Sequence, residues 1–187
     1  MSRVFFTSDT HFTSERHLEL CKRPYSTIKE MDLEMVNNIN KVVEKDDILF
    51  HLGDFGNYEM VKRIDCNVRL IMGNYEERDI ETYFRGDKDK FKKYLLDLGF
   101  YDVCDNLETS INGRRVFMAH KPSEIPRSFD NPLDVHLFGH IHGQQRIKKR
   151  GINVGVDCNS LAPVPWEDVI FYDKAIKDCY DEEVWIQ

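Results

Sequence analysis

The sequence predicts an α/β fold. Short apolar runs alternate with helix-type segments from residue 3 to residue 73, which argues for parallel strands joined by crossover helices. The apolar runs stop repeatedly at a glycine or at a polar residue, and in parallel sheets functional sites form where several strand ends meet. The 187 residues, 41% hydrophobic and 12% aromatic, suit one domain with a real core.

Residues 3–8 are read as a first buried strand, which delivers Asp9-Thr10-His11. Residues 12–25 follow as a loop with a short helical turn, closed by Pro24. This loop carries Arg16, His17, Lys22 and Arg23, and loops after strand ends are where substrate contacts lie. Arg16, His17 and Arg23 are therefore candidate substrate contacts, with a solvated basic loop as the plain alternative. Thr27-Ile28-Lys29-Glu30 has the form of a capping box. Apolar residues at 28, 31, 35, 39, 42 and 43 then mark an amphipathic helix ending near residue 44.

A second strand over residues 47–52 ends in Gly53-Asp54. His51 lies within it and is read as a core histidine, not a ligand. A short helix covers 57–64, and a third strand over 68–72 ends in Gly73-Asn74-Tyr75-Glu76. Residues 77–98 are charged and mainly helical; their lysines alternate with aspartates, as on a solvated helix face. Residues 101–115 read as two short strands joined by an Asn112-Gly113 turn. A strand over 115–119 delivers His120-Lys121, and Lys121 joins the candidate substrate contacts. After a loop over 123–132, the run 135–138 leads into Gly139-His140-Ile141-His142-Gly143. In an extended segment side chains two apart point the same way, so His140 and His142 are expected to face one point. A second hairpin, 144–148 and 152–156 around a Lys149-Arg150-Gly151 turn, precedes a helix over 166–179.

Cysteines stand at 21, 66, 104, 158 and 179, an odd number, widely spaced and without Cys-x-x-Cys. They are read as reduced cytosolic thiols, mostly core fillers, which argues against a cysteine-based zinc site and points to a cytoplasmic protein. The N-terminal residues run directly into a strand, so no signal peptide is expected, and no apolar stretch is long enough for a membrane span. The net charge of −7 argues against long nucleic acid as a partner. It is compatible with a small phosphorylated substrate, because bound dications reverse the local field.

The strand ends together offer Asp9, His11, Asp54, Asn74, His120, His140 and His142. Imidazole, carboxylate and amide oxygen suit manganese, iron, zinc or cobalt. The set is too large for one tetrahedral ion and suits two ions sharing a carboxylate, for which Asp54, midway in the set, is the natural bridge. In this order and spacing, Asp9-x-His11, Gly53-Asp54, Gly73-Asn74, His120 and Gly139-His140-x-His142 resemble the motif series of the calcineurin-like metallophosphoesterases.

The resemblance implies a four-layer αββα sandwich, two mixed sheets flanked by helices, with a dinuclear site at the strand ends. It implies hydrolysis of a phosphate ester by a metal-bound hydroxide, with two divalent ions, manganese foremost and iron, zinc, cobalt or nickel as alternatives. Carried over by position, Asp9, His11, Asp54 and His142 resemble the ligands of one ion, and Asp54, Asn74, His120 and His140 those of the other. The family places a histidine after the asparagine, where it contacts the scissile phosphate and can protonate the leaving oxygen. This chain has Tyr75 there. A phenol can hydrogen-bond a phosphate but cannot become a cation. Asp54, Asn74 and Tyr75 are thus the expected catalytic residues, and diesters with acidic leaving groups, such as nucleotide-like esters, the expected substrates. The competing reading is a metal-stabilised interaction scaffold that has lost catalysis.

Overall fold

The structure, a computed structural model, describes residues 2–129, 131–148 and 150–178. Cys179 and Lys149, which the sequence reading put in the last helix and in a turn, lie outside the described residues, as do Met1 and Asp130. In the first sheet β1 (Val4–Thr7), β2 (Ile48–His51), β3 (Asn67–Ile71) and β4 (Asp102–Cys104) run parallel, and β10 (Val164–Pro165) lies antiparallel on β1. The second sheet contains β5 (Leu107–Ile111), β6 (Arg114–Met118), β7 (Val135–Phe138), β8 (Ile147–Lys148) and β9 (Gly151–Asn153), in the order β5-β6-β7-β9-β8. Its β6, β7 and β9 are parallel and its two edge pairs antiparallel, so both sheets are mixed.

Side chains alternate across a strand, and the first sheet is buried on both faces. Phe5, Leu49, Val68 and Leu70 pack outward against α2 (Ile28–Asn40), α3 (Asn74–Phe84) and α4 (Lys88–Leu98), through Met31, Met35, Ile39, Ile80, Phe91 and Leu95. Their neighbours Phe6, Phe50 and Ile71 point inward onto Val116, Met118, Val135, Leu137 and Ile152 of the second sheet. Trp166 and Val169 of α5 (Trp166–Asp178) join this inner core. The result is two mixed sheets face to face, flanked by helices.

Several elements differ from the sequence reading. The charged stretch 77–98 is two helices, because Arg85 (φ 55°) and Gly86 (φ 78°) turn the chain left-handed between them. At the start of α2, Thr27 Oγ1 accepts from Glu30 N, but the Glu30 carboxylate reaches Ser26 N at 2.8 Å, one residue upstream of a regular capping box. The expected strand pair over 101–115 divides between sheets. β4 extends the first sheet, and the hairpin around Asn112 (φ 48°) and Gly113 (φ 78°) joins β5 to β6. Residues 58–63 form a 3-10 helix.

Candidate metal centre

All seven expected ligands lie just beyond strand ends or, for Asn74, at the first turn of α3. The route there is not the expected one. His140 (φ 71°) and His142 (φ 48°) are left-handed, not extended, and so are Asp9 (φ 59°), His11 (φ 46°) and Asp54 (φ 57°). An extended chain would carry each ligand onward along its sheet. The left-handed turn folds it back across the strand ends, and Asp and His tolerate that region better than most residues.

The turns are crowded. A methyl group on Gly53 (φ 92°) would stand 2.6 Å from His120 Nδ1 and 2.7 Å from Gly73 Cα, and one on Gly139 would strike the Ser8 and Asp9 side chains. Main-chain bonds hold the turns together: Asp9 N and His11 N donate to Gly53 O and Asp54 O, each at 3.0 Å, and His140 N donates to the Asp9 carboxylate at 2.9 and 3.1 Å.

Donor atoms of Asp9, His11 and Asp54 lie within 4.8 Å of one another. The His142 ring is stacked 5.2 Å from that of His11. On the other side, Asn74 Oδ1 stands 2.9 Å from His120 Nε2 and 3.0 Å from His140 Nδ1, and these two nitrogens are 3.2 Å apart. Asp54 joins the two groups: its Oδ2 is 3.5 Å from His11 Nε2 and 3.6 Å from His120 Nε2.

These donors fit metal ions. His11 Nε2 is buried with no hydrogen-bond partner. A carbonyl can only accept, so His120 Nδ1, 2.7 Å from Leu52 O, carries a proton, and the neutral ring would turn its Nε2 lone pair to an ion. Donors bonded at about 2.1 Å to one ion stand roughly 3–3.4 Å apart, the spacing of the Asn74, His120 and His140 atoms. Burial and the neighbouring imidazoles of His17 and His142 hold His11 well below the usual histidine range, so it stays neutral, the form in which imidazole can ligate. Burial also pushes the Asp54 carboxyl up to about 7, with His120 opposing and Glu76 adding to the rise. A dication beside it would restore the anion.

The supporting residues were only partly legible. Glu76, fully buried, accepts from Gly73 N at 2.7 Å, Asp54 N at 2.8 Å and Phe55 N at 2.9 Å, tying two ligand loops together. A glycine helix cap with glutamate three residues on was the available signal. His51 is buried as expected, its Nε2 2.9 Å from Thr10 Oγ1. Asp157 was missed as a site residue, although it too follows an alternating apolar run; it lies 2.7 Å from His142 Nδ1 and pairs with Arg23 at 2.9 Å. Burial opposes a charge on His142, yet the bond to Asp157, aided by Cys21, raises its pKa to about 10.

The expected substrate contacts divide. Arg16 is exposed on α1 (Glu15–Leu20), and Lys121 is half-buried, 3.8 Å from the Glu77 carboxylate. Arg23 is corrected: it is 5% exposed, and its guanidinium faces inward to Asp157 and to the carbonyls of Asp9 and Thr10. His17 is not at a solvated rim either. It is buried, stacked 3.4 Å from His11 at 2°, with Nδ1 2.7 Å from Ser14 Oγ, and burial lowers it to about 4. Tyr75 sets its N–H on Asp54 Oδ1 at 2.9 Å and its ring 4.7 Å from His11, with the Arg78 guanidinium 4.2 Å over its face.

Carboxylate, imidazole and amide donors gathered at the strand ends of a two-sheet α/β sandwich form a candidate metal centre. The chain belongs to the calcineurin-like phosphoesterase superfamily, whose domain matches residues 2–162. That family points to a hydrolase acting on phosphate esters with divalent metal. It is 26% identical over 179 residues to an uncharacterized protein of Methanocaldococcus jannaschii, covering 91% of this chain and 90% of that one. A crystal structure of an Aquifex aeolicus protein of unknown function matches with a TM-score of 0.66 and 24% identity, over 91% of this chain and 99% of that chain. An archaeal phosphodiesterase structure aligns over 82% of each chain, with 22% identity and a TM-score of 0.47. Among the described residues no helix is long and apolar enough to cross a membrane.

Proposed function

We propose that the chain is a dinuclear phosphodiesterase acting on a small nucleotide-like diester, with manganese as its working ion. The observation that carries the reading is the placement of Asp54 Oδ2, 3.5 Å and 3.6 Å from imidazole nitrogens of two separate donor groups. One ion needs no such shared oxygen. Asp9, His11, Asp54 and His142 would hold the first ion, and Asp54, Asn74, His120 and His140 the second. The mixed nitrogen and oxygen donors favour manganese, with iron, zinc, cobalt or nickel able to substitute.

Bound in pairs, such ions polarise phosphoryl oxygens and lower the pKa of water. The chain's own residues prepare for this. Tyr75 N–H occupies Asp54 Oδ1 and leaves Oδ2 to be shared. Asn74, at the first turn of α3, sets the positive end of a helix dipole toward an anionic substrate. Arg16, exposed on α1, and Lys121, next to His120, are the side chains assigned to the remaining phosphate charge. Tyr75 brings no cationic acid to the leaving oxygen, so the reading favours esters whose leaving group departs unprotonated; general acids otherwise contribute about 10²–10⁴-fold. Free thiols at the four described cysteines support a cytoplasmic setting, and the −7 charge supports neither long nucleic acid nor a membrane surface as partner.

The test combines metal counting with hydrolysis of bis-p-nitrophenyl phosphate in Mn²⁺. Two ions per chain and turnover are expected, with both reduced in Asp54→Asn. Full occupancy without hydrolysis of any mono- or diester would support the scaffold reading instead.

A further inference from the structure

We propose that Asp157, braced by Arg23, is the positioning residue of this centre: it fixes the proton of His142 on Nδ1 and turns Nε2 to the ion. The proposal rests on the reading of His142 as a metal ligand. Asp157 Oδ2 stands 2.7 Å from His142 Nδ1. Arg23 grips the same carboxylate with two donors, Nε to Oδ1 at 2.9 Å and Nη2 to Oδ2 at 3.1 Å. Both side chains are almost fully buried, 1% and 6% exposed, so the pair is shielded from water and set in one geometry.

The same guanidinium reaches further. Its Nη2 donates to Asp9 O at 2.7 Å and its Nη1 to Thr10 O at 2.6 Å. Arg23 therefore sets the ligand turn after β1 and, through Asp157, the imidazole after β7. Main-chain links fix the carboxylate's own segment: Val156 N donates to Ser8 O at 3.0 Å, and Gly155 bridges Ser8 in parallel. Asn153 Nδ2 holds His142 O at 2.9 Å, so the backbone that carries the imidazole is fixed as well.

A competing arrangement exists. Cys21, His142 and Asp157 have donor atoms within 4.8 Å of one another, the spacing of a second metal site that would use Nδ1. The charge balance is against it. Both Asp157 oxygens already face a fixed guanidinium, which repels a dication, and Nδ1 is committed to the carboxylate. A carboxylate behind a ligating imidazole orients the ring and raises its basicity, and its loss typically costs 10–100-fold in metal affinity.

The experiment measures metal binding calorimetrically for the whole chain, Asp157→Asn and Asp157→Glu, and the histidine ¹⁵N shifts of the Zn²⁺-loaded wild type. Asp157→Asn should bind one of two ions 10–100-fold more weakly and leave the other within about threefold; Asp157→Glu should recover part of the loss. His142 should carry its proton on Nδ1. Unchanged affinities in Asp157→Asn, or a His142 bound through Nδ1, overturn the proposal alone. A wild type that binds no ion overturns the metal-centre reading as well. Should Asp157→Asn fail to fold, the wild-type ¹⁵N shifts decide.

Discussion

Glu76→Gln isolates the bond network beneath the site. The glutamate is fully buried, and its two oxygens take three main-chain N–H groups: Gly73 and Asp54 on Oε2, Phe55 on Oε1. Glutamine has the same shape. With its oxygen in the Oε2 place it keeps two bonds, each falling from charge-assisted to neutral strength, a loss of roughly 1 kcal/mol apiece. Its amide nitrogen then faces Phe55 N, donor against donor, at a cost of about 1–3 kcal/mol. Relief from burying an anion offsets part of this sum. The net expectation is a loss of about 2 kcal/mol in the metal-free chain. At roughly 2–4 °C per kcal/mol for a domain of this size, the melting temperature should fall about 4–8 °C. Urea denaturation and thermal melts in excess chelator provide the measurement. Wild-type stability to within about 0.5 kcal/mol would refute the account, since it would mean the three bonds carry no net stabilisation.

Two further outcomes follow from the same geometry. Gly53→Ala places a methyl 2.6 Å from His120 Nδ1 at a φ of 92°; the variant should lose bound metal and about 1–3 kcal/mol of stability, whereas normal stoichiometry and a normal urea midpoint would contradict the crowding argument. His136, buried on β7 away from the metal centre, donates from Nδ1 to Arg150 O and has no partner for Nε2. Burial lowers its pKa to about 4, against 6.5 unfolded. As pH falls from about 6.5 to 4 the unfolded chain takes up a proton that the folded chain refuses, so this residue lowers stability by at most about 1.4 kcal/mol per pH unit. His136→Gln should flatten the pH profile of metal-free stability by that slope, and superimposable profiles would sink the assignment.

The parallel strands and the residues that cluster at their ends were legible because both depend on local patterns: apolar runs such as 48–52, and Asp, Asn or His at the point where a run stops. What stayed hidden depends on partners far along the chain. Arg23 reads as a basic loop residue until Asp157, 134 positions away, is brought against it. Asp157 itself reads as the end of a hairpin, and its importance lies in the imidazole it faces. The split of β4 from β5 is invisible for a similar reason, since both are short apolar segments and only the sheet edge available to each decides its place. The break at Arg85 and Gly86 leaves no mark on the apolar period; its signal was Gly86 followed by the Asp87 cap, which the charged run on either side obscured.

The conformation of the candidate ligands explains why these particular residue types stand at the strand ends. Asp9, His11, Asp54, His140 and His142 all have positive φ. For an ordinary residue that region costs roughly 1–2 kcal/mol, which over five positions would approach the whole stability of a domain. Asp and His suffer less there than most side chains, so the chemistry that ligates metal and the conformation that aims it select the same residues. What strain remains is opposed by bonds that need no ion: His11 N to Asp54 O, His140 N to the Asp9 carboxylate, and Asp54 N to Glu76. The turns are thus set by the protein before metal arrives, and binding need not supply the free energy of ordering them.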